Sequence, residues 1–209
     1  MEEAKNKIDW KTICVFGAST TWGAWDFEKG GWVNRLMISE SEKEDGYEVY
    51  NLGISGDFAS DVLARFETEA KARKPNIILF SVGDNDSIYV KSEDKQIVDI
   101  KKFEENLQKL VDLAKKYTNK IVFLSCKNVD ESKTTPIPWE TDYHYIKDKL
   151  SLYSKKIKQI TEKNNILYLN IFKLLNNEDY EDGLHPNTQG HEKIFQEVKN
   201  FLEENKLIK

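Results

Sequence analysis

Ser19 lies in the run Val15-Phe16-Gly17-Ala18-Ser19-Thr20-Thr21-Trp22-Gly23, and Asp182 precedes His185 by three residues in Asp182-Gly183-Leu184-His185-Pro186-Asn187. A serine hydroxyl is a poor nucleophile unless a base takes its proton during attack. An imidazole suits that task, because as a residue type it titrates near neutral pH. The Asp-x-x-His spacing lets the carboxylate reach the imidazole Nδ1 proton within one turn, which fixes the tautomer and stabilises the imidazolium formed on attack. Attack on an acyl carbon also places charge on an oxygen, and that charge needs donors. The backbone N–H groups of Ser19 and Gly56 and the side-chain amide of Asn85 are candidates for them. The chemistry that these residues can perform together is acyl transfer through a covalent serine intermediate.

Each residue has a plainer role when taken alone. A serine after a strand often caps a helix or sits in a turn. Gly53 and Gly56 can be present for positive φ. Asn85 and the Asp182-Gly183 pair read as turn formers. Neither of the other histidines has an equivalent set of partners: His144 is expected to open an amphipathic helix, and His191 falls in the final helix.

The elements that must position these residues give them their weight. Short apolar runs alternate with amphipathic segments, the signature of a parallel sheet covered by helices, so the fold class is α/β. Strands are expected at residues 12–16, 47–52, 76–82, 120–125 and 166–169. Pro75 ends the helix that precedes the third of them. Phe103, Leu107, Leu110 and Ala114 recur at helical spacing, as do Ile146, Leu150, Tyr153, Ile157 and Ile160. A last helix is expected after Asn187 or Thr188, with two more over residues 31–39 and 57–72. These stripes are read as core packing. Residues 127–143 show no periodicity and are expected to form a long loop of the lid or binding type. No repeat or interdomain linker interrupts the pattern, and a single domain over residues 1–209 is expected.

Ligands bind an open parallel sheet at the carboxyl ends of its strands. Gly17 to Gly23 follows the first strand, Gly53-Ile54-Ser55-Gly56-Asp57 the second, and Gly83-Asp84-Asn85-Asp86 the third. Asp182 to Asn187 lies between the last strand and the last helix. The pattern therefore brings all four segments to one edge of the sheet. In these blocks the chain resembles the SGNH hydrolases, also called the GDSL esterase/lipase family, over Val15 to His191. VFGASTTWG is similar to the family's serine block, NLGISGD to its glycine block, VGDND to its asparagine block and DGLHPN to its histidine block. The resemblance implies a three-layer α/β/α sandwich with a mainly parallel, five-stranded sheet of the flavodoxin-like type. It also implies a Ser19-His185-Asp182 triad with an oxyanion hole formed by Ser19, Gly56 and Asn85. One position departs from the pattern: Ala18 stands where the family has aspartate. Asp57, Asp84 and Asp86 are the nearby carboxylates that can replace its hydrogen bonds. No Gly-x-Ser-x-Gly is present, which argues against a nucleophile-elbow α/β-hydrolase.

Among the 209 residues, 39% are hydrophobic and 32% charged, as expected for a soluble globular protein. The formal net charge is -5, with lysines scattered among acids and no one-signed basic stripe, so no nucleic-acid partner is expected. No apolar run has the length of a membrane span or the form of a signal peptide, and a cytoplasmic protein with no membrane partner is the simplest reading. Cys14 and Cys126 each sit in a buried-strand pattern, where small apolar fillers fit better than a disulfide. No cofactor and no metal are expected, because the Asp and Asn residues already have roles in the site. A nucleotide is also disfavoured, since there is neither a Gly-x-Gly-x-x-Gly nor a Walker-type lysine.

Trp22, Trp25, Phe27, Trp32, Phe58 and Trp139 lie near the site in sequence or in the long loop. Half or more of them are expected in the core, Trp32 foremost. The others can stack on a sugar ring or line an acyl pocket. The expected partner is a small-molecule ester, with acetyl or another small acyl group on a carbohydrate preferred. Acyltransferase, lysophospholipase or thioesterase action at the same site, and a non-catalytic carbohydrate-binding module, are the alternatives. The sequence does not indicate an oligomeric state.

Overall fold

A computed structural model describes residues 11–209. In chain order the elements begin with β1 (Thr12–Gly17), α1 (Ser19–Trp22), α2 (Gly31–Ser41), β2 (Glu48–Gly53), α3 (Ala59–Arg73) and β3 (Ile77–Ser81). The middle of the chain forms β4 (Tyr89–Val90), β5 (Lys95–Gln96), α4 (Ile100–Ala114), β6 (Ile121–Leu124), α5 (Glu131–Thr134) and β7 (Tyr143–His144). It ends with α6 (Lys147–Asn164), β8 (Leu167–Leu169) and α7 (Thr188–Glu204).

Five strands form a wholly parallel sheet in the order β2-β1-β3-β6-β8. Successive side chains of a strand point to opposite faces, so a strand buried on both sides must be apolar throughout. In β1, Cys14 and Phe16 enter the cluster shared with Val62 and Phe66 of α3, Leu107 of α4 and Ile157 of α6. Ile13 and Val15 face the other way, into a cluster with Trp32 and Leu36 of α2 and Ile194 and Val198 of α7. Ile78 and Phe80 against Ile77 and Leu79 repeat this division in β3. The result is three layers, with two cores separated by one sheet. Both cysteines are free thiols buried in the first cluster.

The elements match the sequence reading to within a residue or two, with informative differences. Helix α3 begins at Ala59 because the Asp61 carboxylate accepts from the Phe58 N–H at 2.9 Å, which leaves Asp57 in the preceding loop. The final helix begins at Thr188, with Asn187 as its cap accepting from Gln189 N and Gly190 N. His144 does not open a helix. It lies in β7, which pairs antiparallel with β4, and helix α6 starts three residues later. Residues 127–143 are likewise not a plain loop: α5 and an Ile137–Glu140 bridge fold the segment back on itself. Among the described residues no helix is long and apolar enough to cross a membrane.

Candidate active site

The four segments meet where the chain order of the sheet reverses, at the carboxyl ends of β1 and its neighbours β2 and β3. Ser19 is the first residue of α1, directly after β1. Its Oγ lies 3.0 Å from His185 Nε2, and His185 Nδ1 lies 2.7 Å from Asp182 Oδ2. With Nδ1–H donating to Asp182, Nε2 is left as the acceptor for the serine proton. The other carboxylate oxygen, Asp182 Oδ1, accepts from the backbone N–H groups of Leu184 (2.9 Å) and His185 (2.7 Å). Burial alone would raise the Asp182 pKa. The hydrogen bonds from His185 and the Leu184 backbone outweigh it and hold this carboxyl well below the usual range.

Asn85 and Gly56 complete the other side. The Tyr145 hydroxyl donates to Asn85 Oδ1 at 2.8 Å, and Asn85 Nδ2 donates to the Asp57 carbonyl at 2.9 Å. These two bonds orient the amide and leave its second N–H unspent. Gly56 adopts φ +86, and a Cβ there would meet nothing within 4 Å, so the glycine is required by backbone conformation and not by crowding. Gly53 differs from the expectation. Its φ is not positive, and a Cβ would lie 2.3 Å from Trp22 N, so it is present to let β2 approach the nucleophile turn. Among the described residues no acceptor takes the N–H of Ser19 or Gly56. Both residues line the cleft with Asn85.

The carboxylates around Ala18 are committed elsewhere. Asp57 pairs with Arg65, Asp84 with the buried Lys127 (2.7 Å), and Asp86 accepts from Ala59 N. Beside Ala18 is a polar void of about 20 Å³ lined by Asp57, Asp84 and Lys127 among others. Asp86 is deep enough that burial pushes its pKa up to about 7, even though the Ala59 N–H opposes the shift.

The cleft itself measures about 370 Å³ and is walled by Trp22, Trp25, Phe27, Trp139, Tyr145 and Leu184 around the serine and histidine. Only Trp32 of the six aromatics considered from sequence is in the core. Trp22, Trp25, Phe27 and Trp139 are all exposed, and Phe58 is half-buried. Trp22 ends the short helix α1, and the others stand on loops beyond the strand ends. Trp139, at the tip of the folded-back segment, lies nearly parallel to the His185 ring with centroids 6.2 Å apart. A larger groove of about 540 Å³ runs along the β2 edge between Met37 and Tyr50, but its walls carry no nucleophile–base pair.

Several residues at the site carried no signal in the sequence. Arg65 donates through Nη2 to the carbonyl of Leu52 and to Asp57, tying the end of β2 to the oxyanion loop. Tyr145 was equally silent, and Trp25, noted from sequence as an aromatic near the site, has a bond that was not legible: its indole donates to Asp182 Oδ2 at 2.8 Å. His191 is fully buried: its Nε2 donates to the Ala24 carbonyl, and its Nδ1 accepts from Trp32 N. Burial lowers its pKa to about 4, so it is neutral at physiological pH. Among the described residues no group of three His, Cys, Asp or Glu side chains is placed to hold a metal ion.

Comparison with known proteins gives the same direction. The profile of the GDSL-like lipase/acylhydrolase family matches residues 15–193. An uncharacterized lipoprotein of Bacillus subtilis, YqeF, is 30% identical over 122 residues, 56% of this chain and 49% of that protein. The chain thus matches about half the length of this curated relative. The acetylxylan esterase Axe2 of Geobacillus stearothermophilus superposes with a TM-score of 0.69 at 23% identity, covering 93% of both chains. A GDSL-like lipase of Bacteroides thetaiotaomicron superposes at 0.71 with 22% identity, covering 93% of this chain and 89% of that one. At these identities the superpositions speak to the fold.

Proposed function

The chain belongs to the GDSL-like lipase/acylhydrolase family, and from that premise we propose that it is a carboxylic ester hydrolase that removes small acyl groups, acetyl foremost, from a carbohydrate or other small ester. One observation carries the reading: the Ser19–His185–Asp182 chain of hydrogen bonds opens into a cleft that Gly56 and Asn85 also line.

Ser19 Oγ attacks the ester carbonyl carbon while its proton passes to His185 Nε2. The carbonyl π pair moves to oxygen, where the three N–H donors receive the charge. Collapse breaks the bond to the alkoxy oxygen, which leaves as the alcohol with the proton from His185. A water molecule then gives its proton to Nε2 and attacks the acyl-enzyme. Collapse of this second intermediate returns the proton to Ser19 and releases the carboxylic acid. Asp182 keeps the imidazole in the Nδ1–H form and stabilises the imidazolium at each step.

The open cleft supports a small acyl group on a sugar. Flat indole faces at Trp22, Trp25 and Trp139, all exposed at the cleft, match the apolar faces of a pyranose. Ser19→Ala is expected to lower turnover of p-nitrophenyl acetate and acetylated oligosaccharides by at least ~10³-fold. Unchanged turnover would reject the serine mechanism. A wild-type preference for long-chain esters would reject the substrate class.

A further inference from the structure

Trp25 differs from the other aromatics of the rim. Its backbone is in the left-handed region, φ 66, which a bulky residue seldom occupies and which tends to persist only where surrounding contacts enforce it. The neighbours on both sides enforce it here. The Ala24 carbonyl accepts from His191 Nε2 at 2.9 Å, and Ala24 N donates to the Ser19 carbonyl at 3.0 Å. Asp26 accepts from Gly31 N, Thr188 Oγ1 and the buried Arg35 guanidinium. The indole is therefore displayed from a short loop pinned at both ends. Its side chain lines the cleft, and its Nε1–H is turned to the triad. There it donates to Asp182 Oδ2 at 2.8 Å, the same oxygen that accepts from His185 Nδ1.

We propose that Trp25 is a positioning residue, whose indole N–H holds Asp182 Oδ2 in line with His185 and sets how strongly that carboxylate pulls on the imidazole proton. This rests on the serine-triad reading above. With the motif's own backbone donors on Oδ1, the Trp25 bond gives Oδ2 a donor from outside the motif and resists rotation about the Cβ–Cγ bond. It also draws charge from Oδ2, so its loss makes the carboxylate a stronger partner for the imidazolium. Tyr145 is a neighbouring titratable group that feels the Asp182 charge. Burial, then the Asp84 and Asp182 charges, hold its phenol far above its ordinary range, so it stays neutral through the assay.

The test uses the intact chain and the pH dependence of kcat/KM. Trp25→Phe keeps an aromatic wall and removes the donor. Replacing Trp25 with β-(3-benzothienyl)alanine keeps the indole shape and exchanges N–H for sulfur. Both are expected to lower kcat by about ten-fold, the scale of one hydrogen bond to a charged group, and to move the acidic limb of the profile to higher pH. Trp22→Phe, a rim change without a bond to the triad, leaves the limb in place. A limb that stays or moves down in the benzothienyl variant, or one that moves equally in Trp22→Phe, overturns the proposal. Ser19→Ala separates the two readings. If it leaves turnover intact, the serine mechanism falls; if it abolishes turnover while the Trp25 limb is unmoved, only the role of Trp25 falls.

Discussion

Asp182 and His185 lie three residues apart in one turn, whereas Asn85 and Gly56 reach the same cleft from loops after two different strands. The first pair is aligned largely by its own backbone: the N–H groups of Leu184 and His185 hold Oδ1, and no distant segment is needed for that. The oxyanion side depends on remote residues. Tyr145, 60 positions along the chain, sets the Asn85 amide, and Arg65 ties the loop of Asp57 to the end of β2. A half built from local geometry can be read as a motif. A half built from long-range contacts shows its key atoms in sequence but hides what orients them.

That contrast can be broken at Asn85 itself. Asn85→Ala is expected to lower kcat by about 10²–10³-fold with little change in KM, the cost of one donor to a developing oxyanion. A loss confined to KM would mean that the amide holds substrate and does not receive charge. Tyr145→Phe sharpens the comparison with a smaller effect. Without the hydroxyl, Asn85 can turn its carbonyl toward the cleft, and kcat is expected to fall about ten-fold while fluorophosphonate still labels Ser19. Full activity in this variant would show that the Asp57 bond alone sets the amide.

The smallest effect is expected on stability alone, at Asp86, which supports the same loop by accepting from Ala59 N. Its pKa is raised from 3.8 in the unfolded chain to about 7 in the fold by burial. The folded state therefore holds this proton more tightly. The stability it contributes is complete below about pH 4 and is lost as pH rises through about 7. Asp86→Asn keeps an acceptor and cannot ionise. Relative to the parent, the variant is expected to gain on the order of 2 kcal/mol at pH 8 over its value at pH 4 in urea unfolding. An equal difference at both pH values would show that the fold does not shift the Asp86 pKa.

The same contrast explains what was legible before the structure. Ser19, Gly56 and Asn85 were found because each follows an expected strand, the one before Gly56 having the weaker pattern. Asp182 and His185 were found because of their spacing of three residues before the last helix. The structure brings all five together at one cleft. The parallel sheet was legible for the same reason, since strands buried on both faces leave continuous runs such as Ile77-Ile78-Leu79-Phe80. The Trp25–Asp182 bond spans 157 positions and the Tyr145–Asn85 bond 60, and no local pattern encodes a partner so far away. His144 was assigned to a helix because the apolar spacing of α6 extends back to Ile146, beside it. The strand that claims it, β7, is two residues long and has no periodicity to detect. Half or more of the six aromatics were expected inside because composition cannot distinguish a core ring from one held at the mouth of a cleft.

Cys14 and Cys126 give the covalent chemistry an unplanned selectivity. Burial pushes the Cys14 thiol up to about 12 and the Cys126 thiol well above its ordinary value, and each is sealed inside the sheet and its helices. Sulfur is intrinsically the better nucleophile, yet an activated acyl donor arriving from solvent meets the serine first. On the mechanism proposed above, access more than inherent reactivity thus decides which atom is acylated, and the intact fold shields its own thiols from reagents that reach the cleft.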